Sequence, residues 1–255
     1  TATGNTFTSG TGTVILSGTG IYKLPATIFT AFNNLTVNAG TTDSSGVSFS
    51  VAGTFNVLGT FIPGATTHVI SGATGTITGS GTVKTTLVST TAFSTQYSIN
   101  TKTLSNLTVD YAAAGNQSML STTYGNIVTS GTGIKTVLST GLTVNGNITI
   151  GALTTLAGGT GITSSLKGDW INNGTFTQGT STIQFNGTVA QNIIGSAYTT
   201  FNNLTLNNAA GLNLSGSTGA SVAGALTLTN GLLNPGNNLL ILNSTATATG
   251  TTTSY

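Results

Sequence analysis

The side chains able to carry acid–base or nucleophilic chemistry are few: Asp43, Asp110 and Asp169, the single His68, and Lys23, Lys84, Lys102, Lys135 and Lys167. Glycosidic-bond cleavage takes two carboxyls a few ångströms apart. The three aspartates are widely separated along the chain, so only a coincidence of stacking would pair them. With no cysteine and so few acids, His68 lacks the co-ligands of a transition-metal site. A Ser–His–Asp triad needs one particular serine, and serine is so common here that the sequence singles out none. The stretch SGTGIKT (Ser130–Thr136) places glycines near a lysine, but without the G-x-x-x-x-G-K-[ST] spacing that cradles a phosphate. No catalytic residue, cofactor or metal is expected.

Threonine is the remaining candidate. Thr-x-Thr pairs occur at Thr6/Thr8, Thr11/Thr13, Thr175/Thr177, Thr180/Thr182 and Thr245/Thr247/Thr249. On a stack of strands, outward threonines could form a flat grid of hydroxyls and methyls, the kind of surface that binds ice or glycans. Thr175, Thr177, Thr180 and Thr182 are the candidate outer-face residues, although the pairs recur at irregular spacing. Threonine is also the polar residue best suited to the outside of a strand, with no ligand implied.

Charge narrows the partners. Of 255 residues, 3% are charged, against roughly a quarter in an ordinary soluble domain. The lysines are scattered, whereas a polyanion needs clustered cations, so a nucleic-acid partner is not expected. No apolar run reaches the roughly 20 residues of a membrane span. The chain is nevertheless 37% hydrophobic, in short alternating runs that can bury surface, which excludes a disordered chain. A cysteine-free, nearly uncharged, Thr/Asn/Gly-rich composition points to an extracellular location.

The elements that would position these residues are strands. LTVNGNITI (Leu142–Ile150) alternates Leu142, Val144, Ile148 and Ile150 with polar residues, and TSTIQF and ALTLTNG behave alike. Such period-2 runs, cut every few residues by Gly, Asn or Ser, are strand signatures. Glutamate is absent and no stretch carries helical periodicity, so essentially no helix is expected.

The chain also repeats itself. NTFTSGTGTVILSGTG (Asn5–Gly20) lies over GTFTQGTSTIQFNGTV (Gly174–Val189) position for position, without a gap. The pentapeptide FNNLT stands at Phe32–Thr36 and again at Phe201–Thr205, with a near-copy, LSNLT, at Leu104–Thr108. Residues 5–99 thus resemble 174–255, and 100–173 form a diverged middle section of one continuous domain, 1–255. Similar phases recur at roughly 20–24 residues, for example Ile148 to Trp170 and Leu204 to Leu226, a period within the solenoid range. That is the length of three short strands joined by corners. Stacked coils bury a core that no single coil could. The expected fold is an all-β, right-handed parallel β-helix (β-solenoid) of ten to twelve coils; the alternative is a tandem of β-sandwich domains. In either copy of FNNLT the apolar residues mark the core: Phe32, Leu35, Phe201 and Leu204, with Leu104 and Leu107 in the near-copy. The asparagines, Asn33, Asn34, Asn106, Asn202 and Asn203, mark corners, where a left-handed backbone is tolerated and bonds to coils above and below are available. Phe7 and Phe176 follow the repeat into the core.

One segment, GDWINNGTFTQGTSTIQFNGTVAQNIIGSAYTTFNNLTLNNAAGLNLSGS (Gly168–Ser217), contains W-x-N-N-G-T-F, F-N-G-T-x-x-Q and F-N-N-L-T-[VIL]-N-N in that order. It resembles the repeats of very large secreted surface proteins of Bacteroidetes, which are similar in design to filamentous-haemagglutinin and autotransporter-like β-helix adhesins. The likeness covers the C-terminal third and, in part, the N-terminal stretch as far as Gly40. The N-terminal copy lacks the upstream tryptophan and the glutamine. The resemblance implies a secreted filament or adhesin stalk on the cell surface. Since the sequence begins and ends in repeat-like stretches, the partner expected is the protein itself, or flanking repeats of the same polypeptide, end to end. Surface glycans are a second partner to consider.

Overall fold

The computed structural model describes residues 7–25, 28–216 and 219–251. Asn5, Thr6 and Ser217 lie outside them. The chain is a right-handed parallel β-helix of about eleven turns. In each complete coil it passes through a first face, a second face and a third, which we term the spine. The spine is an eleven-stranded parallel sheet running from Gly20–Leu24 through Thr41–Ser45, Thr108–Tyr111 and Trp170–Asn172 to Leu233–Asn234. At about 4.8 Å per strand it is roughly 50 Å long.

The second face comprises two sheets. One stacks Thr13–Leu16, Asn34–Val37 and Thr54–Val57. The other carries seven strands, from Thr123–Tyr124 to Thr247–Gly250. The first face is broken into shorter sheets. The strand Ile70–Gly79 turns the corner between the two faces without a break. It pairs with Phe49–Val51 through Ile70 and Ser71, and with Thr54–Val57 through Thr76–Gly79. Ile148 stands beside Trp170, and Leu204 beside Leu226, as strand neighbours one coil apart. Thr13–Leu16 and Thr182–Phe185 both lie on the second face, as do Asn34–Val37 and Asn203–Asn207.

Alternation decides which side chains enter the core, because successive strand residues face opposite ways. Leu204 and Leu206 are buried while Thr205 between them faces out. Phe32, Leu35, Leu104, Leu107, Phe201 and Leu204 are all buried, as the repeat implied. Aromatic rings pack edge to face in two groups along the axis. Phe49 lies 5.4 Å from Phe32 and 5.8 Å from Phe61, and Trp170 lies 4.8 Å from Phe176 and 5.4 Å from Phe201. One helical turn, Ala92–Gln96, is inserted ahead of Tyr97–Lys102 and buries Ala92, Phe93 and Gln96. Phe93 stacks on Tyr97 at 4.7 Å, so the turn caps the core where that coil is widened.

The corners differ from expectation in one respect. Among the described residues no non-glycine adopts a positive φ, so the asparagines do not serve by taking up left-handed backbone. They act through their carboxamides. Asn34 Oδ1 accepts the N–H of Thr54 in the next coil at 2.8 Å, and Asn203 Oδ1 accepts that of Ala225 at 2.9 Å. Asn33 reaches the other way, its Nδ2 donating to Thr11 O. On the spine, Asn126 accepts from Asn147 N, Asn147 from Asp169 N, and Asp169 from Asn192 N. The near-copy LSNLT belongs to a different corner: it leads into the spine strand Thr108–Tyr111, whereas both FNNLT copies lead into the second face. Asn106 is exposed there.

A glycine precedes four of these accepted N–H groups: Gly53, Gly146, Gly168 and Gly224. A Cβ on Gly53 would stand 2.4 Å from Asn34 Oδ1, so the corner admits no side chain while the asparagine is below it. Gly53→Ala is expected to cost about 1–3 kcal/mol in chemical denaturation. In an Asn34→Ala background the same change should cost measurably less, the coupling read from a double-mutant cycle.

Candidate functional site

The three aspartates all lie on the spine, but on its second, fifth and eighth strands or beside them. Three strand spacings, about 14 Å, separate each from the next. No two can flank one glycosidic bond, for which the carboxyls stand less than about 10 Å apart. Each has its own local partner. Asp110 pairs with Lys84 Nζ at 2.9 Å and accepts from Ser130 Oγ at 2.7 Å. Asp169 takes the place of an asparagine in the corner ladder, accepting from both Asn192 N and Nδ2. Asp43 is the exception, because it faces inward between Tyr22 and Phe61 of the neighbouring strands. It is 1% exposed; Oδ1 accepts from Ser44 N, and Oδ2 is buried without a partner among the described residues. Burial raises its pKa from 3.8 to about 6, the Ser44 N–H opposing the shift.

His68 is not a free surface histidine. Its Nδ1 lies 3.2 Å from both Ser45 Oγ and Ser45 O. The pair has the chemistry of a nucleophile and base, yet Ser45 is fully buried and its hydroxyl already accepts Gly64 N–H. A substrate carbonyl has no access to it.

Lys135, in the glycine-rich stretch SGTGIKT, points into the core and is fully buried. Its Nζ donates to Ala113 O, Gly115 O and Thr132 O at 2.8–3.0 Å. Three carbonyls use all three ammonium protons, so the residue ties corners together rather than waiting for an anion. Desolvation lowers its pKa to about 8, with Asp110 pulling the other way. Buried glutamines do the same work elsewhere. Gln191 Oε1 accepts Gly187 N and its Nε2 donates to Leu166 O and Gly168 O. Gln117 donates to Thr85 O and Leu87 O, and Gln96 accepts Thr86 N and Leu87 N. Sequence reasoning quoted Gln191 only as the last residue of F-N-G-T-x-x-Q and passed over Gln96 and Gln117. For Gln117 and Gln191 the available signal was a polar residue in the inward phase of an apolar alternation, whereas Gln96 ends the helical turn.

The threonines expected to form one outer face do not share one. Thr175 and Thr177 point outward on the first face, and Thr182 lies on the second. Thr180 sits at the corner between them, its Oγ1 accepting Gly161 N–H. Regular columns exist elsewhere. On the second face, Thr123, Thr143, Ser165, Gln184, Thr205, Thr227 and Thr249 follow one another through six successive register pairs. Nearer the N-terminus, Thr36, Asn56 and Thr78 form one column, and Thr54, Thr76 and Thr101 its neighbour.

No group of three or more metal-ligating side chains occurs among the described residues, and no described helix is long and apolar enough to cross a membrane. Neither protein-family models, curated proteins nor solved structures give a match to the chain.

Two expectations follow from the inward polar groups. Lys135→Met keeps the stem's packing but leaves three carbonyls unsatisfied, and should lower stability by about 2–4 kcal/mol in urea denaturation. Asp43 has a folded pKa above its unfolded value, so the folded chain retains a proton that the unfolded chain releases between about pH 4 and pH 6. Its contribution is therefore fully present below that window and lost as pH rises through it, by on the order of 1–3 kcal/mol. Melting temperatures at pH 4 and pH 7 should show this fall in the wild type and a smaller one in Asp43→Asn.

Proposed function

We propose that this chain is a structural segment of an extracellular surface filament or adhesin stalk, acting mechanically by stacking end to end with coils like its own. The observation that carries the reading is the unbroken parallel ladder, whose register any further coil of the same kind extends from either end of the described strands. At the first, Thr13–Leu16 and Gly20–Leu24 pair on one side only among the described strands. Val14, Leu16, Leu24 and Phe29, residues of the inward face, line an opening of about 320 Å³ there, and Ile21 is 82% exposed. At the other end Leu233–Asn234, Leu240–Leu242 and Thr247–Gly250 likewise pair on one side, with Leu239, Ile241 and Leu242 exposed.

An open parallel edge presents unpaired N–H and C=O groups beside apolar surface, a template for another strand. The two ends differ, so a contact between them is heterologous and does not close; repeated, it builds a fibre. Further coils of one polypeptide satisfy the edge in the same way as a second molecule. The separation of the aspartates and the near absence of charge fit a mechanical part, and the resemblance of Gly168–Ser217 to Bacteroidetes surface repeats fits its location.

The purified chain should form rods whose length grows with concentration, seen by light scattering and electron microscopy. Leu239→Lys with Ile241→Lys should return them to single units without altering the circular dichroism spectrum. Monodisperse monomers at every concentration, with both ends unblocked, would count decisively against this function. A glycan array should remain silent.

A further inference from the structure

We propose that the second face is an ice-binding plane. The inference is independent of filament formation, since it uses the flank of the rod and not its ends. Three observations carry it.

The first is spacing. Residues in adjacent coils of a column are about 4.8 Å apart, and outward neighbours within a strand, such as Thr76 and Thr78, are about 6.7 Å apart. Both repeats lie near oxygen–oxygen spacings on faces of hexagonal ice. Register pairing holds the columns through successive coils, including the unbroken run from Thr123 to Thr249.

The second is chemistry. Threonine offers one hydroxyl and one methyl at fixed height, and β-branching restricts its χ1. The hydroxyls of Thr36, Thr76, Thr78, Thr205 and Thr227 have no hydrogen-bond partner among the described residues, so they are free to anchor a water lattice. No charged side chain occupies these three columns; Lys167 is exposed just beyond the end of the strand Thr163–Leu166, at the margin of the face. Lys102 stands at an inward position of its strand, beside Ile77, and its Nζ hydrogen-bonds Ile99 O.

The third is the contrast with the other faces. The spine carries the Lys84–Asp110 pair and outward aliphatics such as Val128 and Ile171, and the first face is interrupted and bears Ile134 and Ile241, whereas the columns of the second face carry one aliphatic, Ile15, at the end beside Thr36. A crystalline polysaccharide is a poorer match for the second face, because sugar rings stack on aromatic side chains and its outward columns contain none. Exposed Tyr22 belongs to the spine.

The test uses the whole chain in thermal-hysteresis and ice-recrystallisation measurements, with a crystalline-cellulose pull-down in parallel. Wild type should shape and retain ice crystals. A Thr78→Lys/Thr205→Lys double variant should lose that activity several-fold, while Thr149→Lys, on the outward side of the spine, should retain it. Matching circular dichroism melts exclude unfolding as the cause. The proposal is overturned if wild type does no more than an inert protein at equal concentration. It is equally overturned if the double variant is as active as Thr149→Lys, or if the chain binds cellulose and not ice.

Discussion

A parallel coil rises by one strand spacing per turn, about 4.8 Å, so every corner lies directly on another corner. The strands satisfy their own backbone by laddering, but a corner turns its N–H and C=O groups out of line with the ladder. Buried and unpaired, each such group costs a sizeable part of what one hydrogen bond contributes. Some corner groups pair backbone to backbone with the next coil, as Gly53 N does with Asn33 O and Gly146 N with Gly125 O, and the fold depends on side chains to satisfy the others. Carboxamides do so because one planar group both donates and accepts. Asn34, Asn126, Asn147 and Asn203 accept an N–H from the coil above, and Gln117 and Gln191 close corners from the inside.

That constraint accounts for the composition. A carboxamide satisfies a corner without charge, so the interior can be polar at its edges without the desolvation cost of ions. It also explains why glycine accompanies asparagine. Drawing a carboxamide beneath the next coil's N–H leaves no room for a Cβ, as the 2.4 Å approach at Gly53 makes plain. Asp43 and Lys135 depart from the scheme, and both carry perturbed pKa values from desolvation. Lys135 meets the cost with three carbonyls. Asp43 does not: its Oδ2 is buried with no partner among the described residues.

The features legible in the sequence were those that repeat within a strand. Alternation marked Phe32, Leu35, Leu107 and Leu204 as core because its period of two is insensitive to what happens at corners. The coil length was legible where corners are uniform, as from Ile148 to Trp170. The lateral columns were not legible, because corners vary. The path from Thr42 to its partner Thr60 is much shorter than the path from Thr82 to its partner Thr108, which takes in the inserted helical turn. Irregular spacing along the chain therefore becomes regular spacing in space. Thr175, Thr177, Thr180 and Thr182 illustrate the converse, a tidy sequence pattern that a corner divides between two faces. Lys135 was illegible for another reason: in G-I-K-T a lysine reads as the solvent side of the strand, and only the carbonyls of coil neighbours make the inward position tolerable.

The same register links the two proposed properties. A face built of columns has no intrinsic length: each added coil contributes two outward positions at the spacing already set by the ladder. Binding to a repeating lattice grows with the number of matched positions, and rigidity keeps the match from being lost over distance. A stiff stack extended at its open ends would therefore lengthen the threonine plane without any new design of the face. The requirement falls on the corners instead, which must absorb every insertion, such as Ala92–Gln96, without shifting the strands that follow. In the spine they do so for all eleven strands. Between the two sheets of the second face they do so incompletely, and there the plane is divided.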